Sequence, residues 1–527
     1  MTFALAGDIL YIILEILGDQ SDYNSLYQCA ITSRCFTEPA LQVLRRNSSP
    51  LSWGQFISRR TCMSLAGTDD VAEAAIRKWA AMWRSITLST LEHTYLPYYS
   101  YIRYLDLEGL RELHRELYIS GDKGSFFTPE IDGHLAHEYA MRGTRRLRSS
   151  SMSIDEDHAV LTIGWVQPSE LAKFLQQLPS LQTLRVWTGD FPTGDKIRNH
   201  CPNLKQLTID SWGFKDADSE KFLNELQPNT LESFDLSCYA GLGPRMIRGL
   251  GSHWNSLTEL KLGYLGITAT EKLLSLTAPP ALKVLALTTS IGVRSNAASS
   301  HMMPRVAKWI RSCKALQRLE LRRFMDDALL LAQILPEKSL RLSSLSLADY
   351  SIQNANLFHE ALHHQQSLQH LDLKGIGSDQ PEHNEPLFQA ISKLNNLREL
   401  DLYGVADGFT ADDVMALTPF LPHLEKLLTG GKYFRDDVWN AFLRLPKLKY
   451  LMILGRSEFS AKGILDFINQ LGPGNSGFSL FILDPTSDTD IDDTTAHYIR
   501  DVLISKFDGC FDFPTVSEAE SVNEMSE

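Results

Sequence analysis

The stretch His359-Glu360-Ala361-Leu362-His363 has the spacing of a zinc hydrolase, with two imidazoles one helical turn apart and a glutamate to deprotonate the metal's water. Drawn on a helix at ~100° per residue, Leu357, Phe358, Ala361 and Leu362 form the apolar stripe, which turns His359 and His363 toward solvent. His383 or Glu385 could be offered as a third ligand, but ligands on an open surface have no cleft walls to place a substrate or exclude water. The pattern is read as a coincidence of letters. Gly472-Pro473-Gly474-Asn475-Ser476-Gly477 spells a dinucleotide fingerprint. A helical pattern precedes it and a strand-like Phe478–Leu483 follows, the reverse of the required order, so it reads as a turn. Asp488, Asp490 and Asp492 begin like a calcium loop, yet Asp493 stands where glycine is needed and Ile499 where a bidentate glutamate belongs. Arg145 to Ser151 offers a basophilic-kinase site, and Asn47-Ser48-Ser49 a sequon that an intracellular protein would not use. No nucleophile–base constellation can be assembled. The expectation is a non-enzyme with no catalytic residue, cofactor or metal.

Composition agrees with a binding role. Of 527 residues, 51 are Lys or Arg and 64 Asp or Glu, a formal charge of −13 with a pI near 5.6. Such a chain has no overall attraction to phosphate backbones or anionic lipid, which argues against nucleic-acid and membrane partners. Seven widely scattered cysteines, with no C-x-x-C pair, suit a reducing compartment better than a disulfide framework or a zinc module. Asp8 and Glu15 interrupt the oily N-terminus, against a signal peptide, and no uncharged apolar run reaches the ~18–20 residues of a membrane helix. A soluble cytoplasmic or nuclear protein is expected.

The elements that must position any surface are repeats. The pattern leucine-x-x-leucine-x-leucine recurs from Leu181/Leu184/Val186 through Leu257/Leu260/Leu262, Leu316/Leu319/Leu321 and Leu368/Leu371/Leu373 to Leu424/Leu427/Thr429 and Leu448/Leu451/Ile453. Most spacings fall within the ~20–29 residues of leucine-rich repeats. Each copy alternates with period two, as a half-buried strand does, and helix-period segments such as 169–178 lie between copies. Prolines two residues before several motifs (Pro179, Pro202, Pro280, Pro422, Pro446) stop the helix, and Thr410 before Asp412-Asp413 is a helix cap. The fold class is α/β: a right-handed solenoid with parallel strands on the concave face and helices on the convex face. The joints around Cys201 and Cys313 resemble the cysteine-containing subclass, and the missing asparagine ladder brings the array closer to ribonuclease-inhibitor-like proteins. Degenerate copies are expected at Trp83/Ile86/Leu88, Ile102/Leu105/Leu107 and Phe478/Phe481/Leu483, and loops at 288–304 and 374–386.

The segments read as follows: helical 1–48, linker helices and degenerate first repeats 49–120, a mobile insertion 121–158, the solenoid 159–485, a C-terminal cap 486–513 and an acidic disordered tail 514–527. In the first segment Ile9, Ile13, Ile16 and Leu17 share a helix stripe, widened by Leu10 and Leu14. Its short helices cannot enclose a core of their own, so they need a partner or a neighbouring domain.

The order Leu5 to Leu10, Ile13-Leu14, Asp22 to Leu26 and Ile31 to Phe36 resembles the three-helix F-box, with Ala6 where that motif usually has proline. With the repeats, the chain resembles a fungal F-box/leucine-rich-repeat protein. That resemblance implies docking on a Skp-type adaptor, and through it a cullin ubiquitin ligase, by Leu5, Ile9, Ile13, Leu14, Leu26, Ile31 and Phe36. The repeats would then hold an unidentified protein substrate. The alternative is a repeat scaffold or stoichiometric enzyme regulator whose N-terminal helices merely cap the array. For the substrate, residues flanking the buried leucines point outward: Arg318, Glu320 and Arg322, then His370, Asp372 and Lys374, then Glu399, Asp401 and Tyr403, then Lys426, Tyr450 and Met452. This strip mixes charge with aromatic and thioether anchors, a composition favoured at interface hot spots.

Overall fold

Each leucine motif becomes a strand because its alternate leucines have somewhere to go. Leu184, Leu207, Leu260, Leu285, Leu319, Leu345 and Leu400 are all fully buried. In the computed structural model the described residues are 178–186, 194–209, 215–236, 242–289, 297–323, 327–378, 381–485 and 491–513, with short pieces nearer the N-terminus. The insertion 121–158 (Thr128 apart), the helix expected at 169–178 (Leu178 apart) and the tail 514–527 lie outside them. Among the described residues no helix is long and apolar enough to cross a membrane.

The chain divides into two units, Met1–Leu257 and Thr258–Glu527. The first contains β1 (Tyr104–Asp106), β2 (Thr183–Val186), β3 (Gln206–Ile209) and β4 (Ser233–Leu236), each parallel to the next. Leu105, Leu184, Leu207 and Phe234 share one register position, so the degenerate copy at 102–107 is a true strand. The copy expected at Trp83/Ile86/Leu88 is not: residues 83–85 and 88–89 are helical. Three apolar residues at spacing 3 and 2 fit one helix turn as well as a strand.

The second unit runs β5 (Glu259–Leu265), β6 (Val284–Thr289), β7 (Arg318–Arg322), β8 (Ser344–Ser351), β9 (His370–Ile376), β10 (Glu399–Asp401) and β11 (Lys426–Gly430). It ends with β12 (Phe434–Arg435), β13 (Tyr450–Glu458), β14 (Ser479–Pro485) and β15 (Phe511–Asp512). Every pairing is parallel, with short helices between strands, which makes this a leucine-rich-repeat array. The Thr410 cap forms as expected, a reciprocal capping box with Asp413. The two expected loops are partly helix: Ala297–Ser312 and Pro381–Ile391 carry Pro304 and Pro386 inside them. Proline reads as a breaker in isolation, but stacking against neighbouring helices outweighs one missing hydrogen bond.

Three or four residues before several strand motifs lies a buried turn position, and there polar side chains tie one repeat to the previous one. Gln365 donates to Leu335 O (2.7 Å) and Leu340 O (3.2 Å) and accepts from Leu342 N (2.9 Å). Asn475 donates to Leu445 O and Leu448 O, and His253 Nε2 meets Leu223 O at 3.0 Å. Cys201 and Cys313 fill the same place with a thiol that burial pushes up to about 12, so it stays neutral. On the helix side, Asp216 accepts from the backbone N–H groups of Arg245 and Met246 in the next repeat, and Asp436 from Ser460 in the next. Gly243 and Gly463 make room: a Cβ on either would sit 2.1 Å from that carboxylate.

A separate helical cluster lies near the N-terminus, where Leu14, Leu26, Ala40 and Val43 are buried together with Leu17, Cys29 and Phe36 packed against them.

Gln365→Ala strands three buried backbone groups at once, each costly when left unpaired. Its urea midpoint should fall by the equivalent of ~3 kcal/mol, while the exposed neighbour Gln366→Ala should change it by less than ~0.5 kcal/mol.

Candidate functional site

Strand register brings the outward residues of the second unit into columns. One column runs Val284, Arg318, Ser344, His370, Glu399, Lys426 and Tyr450. The next runs Ala286, Glu320, Ser346, Asp372, Asp401, Leu428, Met452 and Phe481. The strip read from the sequence is thus brought together on one face, in three patches.

On β7, Arg322 pairs with Glu320, and Arg318 is exposed with no partner among the described residues. On β9 and β10, Lys374 Nζ lies 3.2 Å from Asp372 Oδ2 and 3.3 Å from Asp401 Oδ2, and Ser346 Oγ donates to Asp372 at 2.9 Å. Burial pulls the Lys374 ammonium down, but the two carboxylates outweigh it and the pKa is raised. Asp401 is raised by its own burial and by Asp372, against the pull of Lys374. His370 sits 3.4 Å from Glu399. Tyr403 is exposed just beyond β10, its N–H donating to Asp401 Oδ1 at 3.0 Å. On β11, β13 and β14, Lys426 lies over the Tyr450 ring (5.3 Å), and Tyr450 stacks on Phe481 (4.9 Å between centroids). Met452 stands in register between Leu428 and Phe481.

Phe481 corrects the sequence reading. It was assigned to a buried motif position, but it pairs in register with Met452 while Leu480 and Ile482 take the fully buried places. An all-apolar run hides a one-residue slip, and a one-residue slip exchanges the two faces. The strip also gains Leu428, whose offset equals that of Met452 and Glu320 and was readable from the repeat spacing. Exposed Ile376, at the end of β9, and Tyr433, beyond β11, are further additions.

Backbone strain marks the exit end of the strands. Tyr264 (φ 52°) and Arg323 (φ 58°) are left-handed at the repeat position where Gly404 (φ 72°) and Gly455 (φ 115°) stand in later repeats. A side chain there costs about 1–2 kcal/mol. The two strained residues meet: the Arg323 guanidinium lies 5.6 Å from the Tyr264 ring centroid, with Nη1 3.5 Å from its hydroxyl.

At the N-terminus, Leu5, Ile9 and Ile31 lie outside the described residues. Ile13 is 45% exposed on the helical stretch 12–17, together with Ile12 at 56% and Ile16 at 49%. Leu14 and Leu26, read as docking residues, are instead fully buried inside the cluster, and Phe36 is half-buried against it. Apart from Glu15 the stretch 12–17 is all Ile and Leu, so its period could not say which of them turns inward.

The zinc-like pattern is corrected too. Leu357, placed on the apolar stripe, is exposed, whereas His359 is only 2% exposed. Its Nε2 is 2.5 Å from the Tyr350 hydroxyl, and the helix Asn356–Leu362 ends before His363. Among the described residues no group of three His, Cys, Asp or Glu could hold a metal ion. The calcium-like run also has a structural use: Asp492 caps the helix Asp493–Phe507, accepting from Thr495 N, while Asp488 and Asp490 lie outside the described residues.

By its strands and their register, the chain has a leucine-rich-repeat fold. No protein-family model and no curated protein matches it. Among solved structures it is similar to the leucine-rich repeat-containing protein LegL7 from Legionella pneumophila, at 14% identity over 52% of this chain and 93% of that one, with a TM-score of 0.33. It is also similar to a chain of the Rad7 and Elc1 complex in yeast (14% identity, 71% and 98% covered, TM-score 0.36). A third is the TLR13–ssRNA13 complex (16% identity, 61% and 52% covered, TM-score 0.33). At these identities and scores the likenesses say nothing about what this chain binds.

Burial lowers the His359 pKa to about 4 from the ordinary 6.5. The unfolded chain therefore takes up a proton between pH 6.5 and 4 that the folded one refuses, so this histidine costs stability as pH falls through that window. His359→Gln cannot titrate. The stability advantage of the natural protein over that variant should shrink by on the order of 3 kcal/mol between pH 7.5 and pH 4 in paired denaturant titrations. A constant gap would mean the ring is not held neutral.

Proposed function

We propose that this protein is the substrate-recognition receptor of a Skp–cullin–F-box-type ubiquitin ligase and is itself non-catalytic. The N-terminal helices dock on the adaptor, and the strand face of the second unit holds a protein substrate. The observation that carries the reading is the exposed row Ile12, Ile13 and Ile16 on a short helix anchored from beneath by Leu14. Three isoleucines side by side at the surface are unfavourable in water and are the kind of patch that a partner covers. They fall where the motif order Leu5 to Phe36 resembles an F-box. Leu14 and Leu26 then serve the docking face indirectly, by holding its helices in place.

The strand face supports the second half of the reading. It alternates charged patches with the Tyr450–Phe481 stack and Met452, which suits recognition of a folded or extended protein segment. Its single ion pairs contribute at most ~1 kcal/mol each, so specificity would come from their arrangement more than from their number.

Ile13→Asp with Ile16→Asp should weaken co-purification with a Skp-type adaptor by ~30-fold or more, since each places a charge where an apolar contact is needed. The variant's far-ultraviolet circular dichroism should match the natural protein, because neither side chain is buried. Undiminished adaptor binding would sink the docking face. Absence of adaptor binding in the natural protein would leave the repeat-scaffold reading in its place.

A further inference from the structure

We propose that the helix side of the second unit, around the helix Ala297–Ser312 and the turn that follows the next helix, is a docking surface for a short acidic segment of a partner protein. This surface lies away from the strand face, and the proposal stands apart from the receptor reading.

The chain is unevenly charged. Residues 283–341 hold eleven Lys or Arg against four Asp or Glu, a net +7, so the rest of the chain carries −20. Folding gathers six of the eleven on the helix side. Along Ala297–Ser312 the buried stripe is Met302, Val306, Trp309 and Ile310, and Trp309 Nε1 donates to Leu276 O of the preceding repeat at 3.0 Å. That stripe, at helical spacing, turns Arg305 and Lys308 out to solvent, with Arg311 half-buried one turn on. Lys314 is exposed just past the helix, and the next repeat's turn adds exposed Lys338 and Arg341. Glu337 is the acid among them, 3.8 Å from Lys314 Nζ. Hydrogen bonds from Ser339, then the charges of Lys314 and Arg311, hold its carboxyl below the ordinary range, so both bases face the same spot.

Elsewhere the array treats its exposed bases differently. Lys205 pairs with Glu232, Arg248 with Glu220, Arg398 with Glu425 and Arg435 with Glu458, in each case from one repeat to the next. Here a base is answered by further bases across the repeats. Arg305, Lys308, Lys338 and Arg341 have no partner among the described residues. Like charges gathered this way repel and add nothing to the stack, and an anion settling among them relieves the repulsion.

The surroundings select the partner's chemistry. The run from Arg305 to Arg311 rises ~10 Å along the helix, and the next repeat lies ~10 Å further on. Together that is the length of about six extended residues. Exposed Glu271 and Glu360 stand on the helices to either side, Ile267–Leu274 and Asn356–Leu362, and mark the limits of the patch. A nucleic-acid strand or a charged bilayer would extend past both, beyond the ~8 Å over which the patch attracts at physiological salt, into a chain that is otherwise acidic. A short run of Asp and Glu takes the local attraction and stops there. Exposed Leu329, on the helix Asp327–Ile334 packed alongside, offers an apolar contact that a protein segment can use and a phosphate backbone cannot.

The test uses the full chain and fluorescently labelled octaglutamate, with octaglutamine, an eight-nucleotide single-stranded oligothymidylate and phosphatidylserine vesicles as the comparisons. Octaglutamate should bind at least ~10-fold more tightly than octaglutamine at low salt, with the preference declining as salt rises. Arg305→Glu with Lys308→Glu and Arg341→Glu should weaken octaglutamate binding by ~10-fold or more. Lys221→Glu with Lys447→Glu and Lys462→Glu makes the same change in net charge at exposed lysines elsewhere, and should leave binding within about twofold. No preference for octaglutamate, an equal loss in the two variants, or tighter binding of the oligothymidylate or the vesicles than of octaglutamate overturns the proposal. Should the first triple substitution lower the unfolding temperature, Lys308→Gln alone decides. Weakened binding at natural stability supports the site, and undiminished binding overturns it.

Discussion

No strand of these repeats can complete its own hydrogen bonds. A strand of two to nine residues, joined to the next by a short helix, has one apolar side and a row of unpaired N–H and C=O groups on each edge, and both are relieved only by the neighbouring repeat. Within each unit this requirement sets the parallel register and the nearly invariant burial of the motif leucines. It also explains the buried polar residues. Where the chain turns into a strand, backbone carbonyls of the preceding repeat would be stranded in the interior, and Gln365, Asn475 and His253 reach across to satisfy them. The Asp216 and Asp436 caps do the same on the helix side, with glycine opposite to leave the carboxylate space.

Because the inward residues answer to stacking, the outward ones are free to vary, and the strand face uses that freedom unevenly. On β7 Arg322 pairs with Glu320 while Arg318 has no partner among the described residues, a lysine is held between two aspartates at β9 and β10, and aromatic and thioether side chains gather on β13 and β14. These differ in how they would engage a partner. The Lys374 cluster is largely satisfied internally and costs something to open, whereas Arg318 is exposed as it stands, and Phe481, only 9% exposed, offers little beyond its stack on Tyr450. The N-terminal cluster follows another rule. A core of four small-to-medium side chains cannot cover all its helices, and the isoleucines left outside are a consequence of that size.

Letters that suggest chemistry were absorbed by packing. The histidine of the zinc-like pattern pairs with Tyr350 in the interior, next to Phe358. The acidic run near 490 ends in a helix cap, and the glycine-rich turn closes a three-residue 3-10 helix before β14. In each case the residue type suited catalysis or ligation, and the surrounding array gave it a structural hydrogen bond instead.

The sequence by itself determined the repeat, its period and the α/β architecture, because periodic leucines have one economical arrangement in water: strands in register with their leucines inward. The outward residues of β7, β9 and β10 were legible for the same reason, since alternation follows once the motif is placed. Helix faces and local register in uniformly apolar stretches were not legible. Leu14 and Ile13, or Phe481 and Leu480, are equally apolar neighbours, and only the packing of other elements decides which of them turns inward. Nor could linear sequence reveal that Arg323 reaches Tyr264 across an intervening strand, or that His359 is buried beside Tyr350, because both contacts exist only after the repeats have stacked. Periodicity is a local property and was written in the chain; partnership across repeats is a property of the stack.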